Sequence, residues 1–384
     1  MNFDLSDEQQ MIVDAVAKYV DKDSPVERFR KLRDTETGWE TKAWRSMGEY
    51  GWLGVAYPEE QGGFGGSFVD TALILEQLGR GLVPEPFIAS VVLAGGLVSR
   101  LGTAEQVERV LAPMIAGETT LALAYAETQS RYDLFDCGTK AEKSGGGYKI
   151  TGEKVWVLNG HAADAYVVVA RTAGDRRDES GLSLFIVEAS ADGLSRTRVS
   201  CMDGQSAGLI KLDGVEVAAE NLLGEEGAAL SELEWASDRG AAAACAEAQG
   251  CLSELLDRTV EYLKDRKQFG RAIGTFQALQ HRAADMFAEV QLCQGSMYLA
   301  AISADSDDRE TRIADVSVAK TQLTRGGWFV QENAVQLFGG IAITDEQDTG
   351  LFFKRVRVLQ GLFGDADHHI ARYEMQPRFE AAGD

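Results

Sequence analysis

Two stretches of this 384-residue chain place an arginine, amide side chains and bare glycine backbone close together. The first is Arg266-Lys267-Gln268-Phe269-Gly270, followed by Ile273-Gly274-Thr275-Phe276-Gln277. The second is Gln336-Leu337-Phe338-Gly339-Gly340-Ile341. A guanidinium offers phosphate a two-pronged clamp, and glycine lets a ligand come close to the backbone. Together they suit a phosphate-linked aromatic cofactor lying on helix surfaces. Taken singly, Arg266 reads as a surface cation and Gln277 as the first residue of a helix; the combination carries the information.

A carboxylate tuned by burial can serve as a general base. Glu247 is the one acid in the small-residue run Ala241-Ala242-Ala243-Ala244-Cys245-Ala246-Glu247-Ala248-Gln249-Gly250. Such a carboxylate has two readings: a general base, or the partner of an Arg or Lys on a neighbouring helix. His161, His281, His368 and His369 lack metal-ligand spacing, so no metal is expected. The five scattered cysteines contain no CxxC pair, which argues against a zinc site or a disulfide framework. The glycine-rich stretch Tyr57 to Gly66 is not followed by Lys-Ser/Thr and reads as a structural loop.

These residues need elements to hold them. Ser6-Asp7-Glu8-Gln9 can cap a helix, with Met11, Ile12, Ala15, Val16, Tyr19 and Val20 as its apolar stripe. Residues 1–118 read as a helical domain throughout. Residues 119–225 carry short alternating or β-branched runs at 147–157, 165–170 and 182–187, separated by glycine turns. They read as a small antiparallel β-domain, sandwich or barrel. Residues 226–384 return to long helices over 232–266, 276–305 and 313–338, a four-helix-bundle pattern. The fold class is α+β. The chain is too long for one core.

With 60 acidic against 38 basic residues, the net charge of −22 repels nucleic acid and anionic membranes. A polyanionic ligand would need positive charge gathered locally. No signal peptide opens the chain and no apolar run reaches about 18 residues, so a cytoplasmic protein without a membrane span is expected.

Both opening strings resemble those of the acyl-CoA dehydrogenase family of flavoenzymes, whose α–β–α order the whole chain matches. The resemblance implies FAD as cofactor. Arg266 and Gln277, with Phe269 in the same string, would meet its pyrophosphate and adenine side across a subunit interface. Gln336, Gly339 and Gly340 would meet its adenosine part. The flavin-ring end would lie along Tyr125 to Asp133, including Tyr125 and Ser130, and along Lys154-Val155-Trp156-Val157-Leu158-Asn159, where Trp156 sits near the ring in relatives. Ala126 and Leu158 stand where relatives carry hydroxyls. Asp238 fits a position that meets the CoA and acyl portion. Arg239 lies close to Ala241, where relatives have an arginine. The two places where the family carries its base are Gly364 and Gly240 here, which leaves Glu247, or Asp365, for that role.

The activity implied is α,β-dehydrogenation of an acyl-CoA thioester to the 2-enoyl-CoA, with electrons passing to an electron-transfer flavoprotein. The strings at 126–134, 245–248 and 363–369 resemble one branch of the family, which includes the small subunit of bacterial pimeloyl-CoA dehydrogenase. In that branch two different chains share one FAD. A homo- or hetero-tetramer with a second acyl-CoA dehydrogenase-like chain is therefore expected. A non-catalytic subunit completing a partner's FAD site, or a flavin oxidase or monooxygenase on the same fold, are the alternatives.

Overall fold

The computed structural model describes residues 5–376. The first four and last eight residues of the two expected helical segments lie outside that range. Packing divides the chain into two compact units, each drawn from more than one of the expected segments. One comprises Met1–Arg30, Ser67–Val83 and Ala241–Asp384; the other comprises Lys31–Gly66 and Pro84–Gly240.

The first unit is helical: α1 (Asp7–Asp23), α2 (Phe68–Arg80), the later part of α3 (Leu230–Asp265), α4 (Gln277–Ser303), α5 (Arg309–Phe338), α6 (Thr349–Gly361) and α7 (Ala366–Glu374). The expected capping box forms at α1, where the Gln9 backbone N–H donates to Ser6 Oγ and the Ser6 N–H to Gln9 Oε1, both at 3.1 Å. Of its expected stripe, Val16, Tyr19 and Val20 are buried, whereas Met11 stays 64% exposed. α3, α4 and α5 run for 36, 27 and 30 residues, so the long bundle helices are those expected.

Two glycines let α2 cross α3 with backbones touching. A Cβ on Gly79 would strike the Glu247 carbonyl, and one on Gly250 would strike that of Glu76. Cys251 uses the same approach, its thiol donating to the Gly79 carbonyl at 3.2 Å. In the same unit, Lys320 is fully buried and donates to the carbonyls of Leu359, Gln360 and Leu362 at 2.8, 3.1 and 2.7 Å. It thereby satisfies the last turn of α6, whose carbonyls have no helical partner. Burial pulls this ammonium down to about 8.

The second unit is built on a sheet in the order β6 (Leu194–Ser200), β7 (Ser206–Ala218), β3 (Gly147–Leu158), β2 (Lys140–Ser144), β4 (Ala165–Arg171), β5 (Leu182–Glu188), β8 (Leu222–Leu223). β1 (Leu121–Ala124) joins it beside β4. The ladders are antiparallel except β1–β4 and a single Lys140–Arg171 pair linking β2 to β4. β4 is buried at every residue and β5 at all but its last, while β3 and β7 alternate as strands with one wet face do. The sheet core includes Tyr148, Ile150, Tyr166, Phe185 and Val215. Buried Arg171 ends β4 and donates to the carbonyls of Phe135, Cys137, Ser180 and Asp178 at 2.7, 3.3, 2.8 and 3.0 Å, pinning two loops.

Candidate active site

In the helical unit the two opening strings meet. Arg266 follows the last residue of α3, and a two-residue hairpin turn at Phe269-Gly270 leads on to Gln277, the first residue of α4. Phe269 has φ +54° and is 90% exposed, so this turn pushes an aromatic ring into solvent. The second string closes α5: Gln336 is exposed, Gly339 takes φ +70°, and Gly340 follows. Tyr262 on α3 joins the strings. Its ring stacks on Phe338 at 4.4 Å and its hydroxyl donates to the Phe338 carbonyl at 3.4 Å. A Cβ at Gly270, Gly339 or Gly340 would meet nothing within 4 Å. Open glycine backbone, an exposed guanidinium and exposed amides therefore share one place, and these groups fit the phosphate-linked end of FAD. Sequence reasoning missed Tyr262; its only signal was an aromatic one turn before Arg266.

The flavin-ring strings lie in the sheet unit and are stitched to one another. Between Lys154 and Val157, β3 slips register, so that Val155 and Trp156 together face Leu209 of β7. At this bulge Trp156 takes φ +53° and stays 60% exposed. The Val155 N–H donates to the Ala126 carbonyl at 2.9 Å. Lys154, fully buried, donates to Glu127 Oε1 at 2.7 Å and to the Tyr125 carbonyl at 3.2 Å. Desolvation pushes the Tyr125 phenol up to about 12, and nearby Tyr132 adds to the rise. Ser130 is buried and closes the turn itself: its hydroxyl accepts from the Glu127 N–H at 2.9 Å and donates to the Glu127 carbonyl at 3.0 Å.

The pair expected on the substrate side, Asp238 and Arg239, is also in this unit. Asp238 is fully buried and Arg239 nearly so, with its guanidinium 4.7 Å from the centre of the Trp235 ring; Arg100 stacks on the same ring at 4.8 Å.

The acids resolve differently. Glu247 is buried and bound at both oxygens by Arg355 on α6, whose Nε donates to Oε1 at 2.6 Å and a terminal nitrogen to Oε2 at 2.9 Å. The cation named in general terms by the ion-pair reading is thus Arg355, 108 residues away and without a local signal in sequence. Asp365 is exposed and caps α7 by accepting the His368 N–H at 3.0 Å. Gly364 has no room for a side chain. Its Cβ would lie 2.5 Å from His368 Cδ2 and 2.7 Å from His369 Nε2, with φ at +113°. His369 is itself held, one ring nitrogen 3.0 Å from the Phe363 carbonyl and the other 3.3 Å from Ser317 Oγ.

Sequence models of the acyl-CoA dehydrogenase family match the chain in three parts: the N-terminal domain over residues 6–118, the middle domain over 122–215 and the C-terminal domain over 231–374. The chain is similar to the probable acyl-CoA dehydrogenase YngJ of Bacillus subtilis (strain 168), 29% identical over 377 residues that cover 97% of this chain and 98% of that protein. Its structure is similar to the ChsE4-ChsE5 complex from Mycobacterium tuberculosis, with TM-score 0.88, 27% identity and full coverage of both chains. It is similar again to butyryl-CoA dehydrogenase from Megasphaera elsdenii, with TM-score 0.90, 26% identity, and coverage of 97% of this chain and 98% of that one. Among the described residues no helix is long and apolar enough to cross a membrane.

Proposed function

The chain belongs to the acyl-CoA dehydrogenase family, and from that premise we propose that it serves as a subunit of an FAD-dependent acyl-CoA dehydrogenase. The reaction removes a proton from the α-carbon and a hydride from the β-carbon of an acyl-CoA thioester, leaving the 2-enoyl-CoA. FAD, when bound, would supply the acceptor for that hydride, and an electron-transfer flavoprotein would take up the electrons. The observation that carries the reading is the Tyr262–Phe338 stack, which brings the Arg266 and Gly339 strings to one open place. There Arg266 grips phosphate, and Gly339 and Gly340 admit the adenosine part to the backbone. Trp156 offers a flat wall to the ring.

The α-proton needs an acceptor. Glu247 is the buried acid offered for it, and Arg355 engages both of its oxygens. The Glu247–Arg355 pair and the filled space at Gly364 favour a second reading, in which this chain completes a partner's FAD site and supplies no base. Both readings place the chain in a homo- or hetero-tetramer with an acyl-CoA dehydrogenase-like chain. Its five free cysteines fit a reducing compartment such as the cytoplasm.

Arg266→Ala in the assembled protein tests the cofactor assignment. A charge-assisted hydrogen bond contributes roughly 1.5–3 kcal/mol, so FAD retention should fall about tenfold or more. Enoyl-CoA formation should fall with it. Unchanged flavin content in the variant would sink the assignment. Flavin colour in the chain purified alone, against flavin colour only after co-expression, separates a self-sufficient subunit from one that needs its partner.

A further inference from the structure

We infer that Lys154 is the positioning residue of the flavin-ring wall: its buried ammonium clamps the Tyr125–Ser130 turn onto the β3 bulge and so fixes how Trp156 is presented. This rests on the FAD reading above.

A tryptophan at φ +53° is strained and persists only where its surroundings over-determine it. The constraint can be traced. Lys154 has three N–H donors and three acceptors: Glu127 Oε1 at 2.7 Å, the Tyr125 carbonyl at 3.2 Å and Cys137 Sγ at 3.6 Å. Every donor of the ammonium is therefore committed to the turn or to what holds the turn. Glu127 is fixed in its own right by the N–H groups of Gly138 and Thr139 at 2.8 and 3.0 Å and by Thr139 Oγ1 at 2.7 Å. Arg171 holds the far side of the same loop through the Phe135 and Cys137 carbonyls. Lys154, paired with Ile210, is the last residue before the bulge, and Val155, the next, is bonded to Ala126. The chain of restraint thus runs from the loop through Glu127 and Lys154 to Trp156.

The sequence makes this restraint matter. Ala126 and Leu158 offer no hydroxyl, so the placing of Trp156 counts for more along these two strings. A buried ion pair that only stabilised the sheet could be replaced by uncharged residues at little cost. It would then leave the bulge as it was. A clamp could not be replaced without freeing it.

The test uses the full chain carrying Lys154→Met together with Glu127→Gln, a pair that strands no buried charge. Lys154→Met alone and Lys154→Arg accompany it. In the cofactor-free chain, hydrogen exchange at the Val155 amide should quicken at least tenfold in the double variant, while amides of β4 keep wild-type protection. Acrylamide quenching assigned to Trp156, by difference against Trp156→Phe in each background, should change at least twofold. In the FAD-loaded assembly the flavin absorption band should shift. If Lys154→Met alone does not fold, the double variant still decides. Wild-type Val155 exchange together with wild-type Trp156 quenching in the double variant would overturn the clamp. A wild-type assembly without flavin would count against the FAD reading instead, and the exchange arm would still decide the clamp.

Discussion

The sheet unit and the helical unit each bury a glutamate, and they treat it in opposite ways. Glu127, in the sheet unit, accepts from Lys154, Thr139, Gly138 and Gln129. Burial alone would push its carboxyl up, but the Lys154 charge and these donors outweigh burial and hold it down at about 2. Glu76, in α2, is also buried, at the glycine crossing with α3. Its neighbour Arg80 is engaged elsewhere, 3.0 Å from Glu254 and 3.1 Å from Asp257. Burial therefore dominates, the distant Arg80 charge offsets it only in part, and the carboxyl rises to about 7. Depth alone does not decide the protonation of a buried acid; the donors and charges brought to it weigh against burial.

The largest effect should come from breaking the saturated site. Lys154→Met leaves Glu127 buried and unpaired, which should cost roughly 3–5 kcal/mol of unfolding free energy by chemical denaturation. Adding Glu127→Gln should recover most of that loss. A single variant as stable as wild type would show that the two carboxylates are not in different states.

Glu247 is a third case, with one cation and two bonds, and it sharpens the comparison. Glu247→Gln takes from Arg355 the carboxylate it pairs with and should lower stability by about 2–4 kcal/mol, read as a fall in Tm. If Glu247 is also the base, the folded, flavin-loaded assembly should lose turnover by more than ~100-fold. Near-wild-type turnover in that assembly would leave Glu247 an ion-pair residue and support the completing-subunit reading. Gly364→Glu supplies the acid at the family's usual place. It should gain no activity and lose roughly 3 kcal/mol or less, because the side chain must displace His368 and His369 from a strained backbone position.

What was legible in sequence follows the same division. The bundle helices, the Ser6 capping box and the β3, β4 and β5 strands were readable because periodicity and capping are local. The Arg266 and Gly339 strings were readable because their groups are exposed and close in sequence. Arg355, Tyr262, Lys154 and Lys320 were not singled out, since each acts on a partner that only the fold brings near. Lys320 meets carbonyls about 40 residues on, and Lys154 meets Glu127 across 27 residues. The same limit kept both readings of Glu247 open, because nothing near it in sequence names the cation that faces it.

The smallest expected effect separates Glu76 from Glu127 by the sign of its pH dependence. For Glu76 the unfolded chain gives up the proton near pH 4.5, while the folded protein holds it to about 7. Between those values the folded state binds more protons, so stability falls as pH rises and levels off above about 7. Glu127 is opposite: its contribution is fully present above about pH 4.5 and is lost as pH falls toward 2. Glu76→Gln keeps the shape of the side chain and removes the charge. It should match wild type near pH 4.5 and exceed it at pH 8 by on the order of 2 kcal/mol. The acid limb set by Glu127 should stay unchanged in that variant. Denaturation midpoints taken from pH 3 to 8 would show both limbs at once. Parallel wild-type and Glu76→Gln curves between pH 4.5 and 8 would mean that Glu76 finds a cation in solution, and the contrast between the two units would fail there.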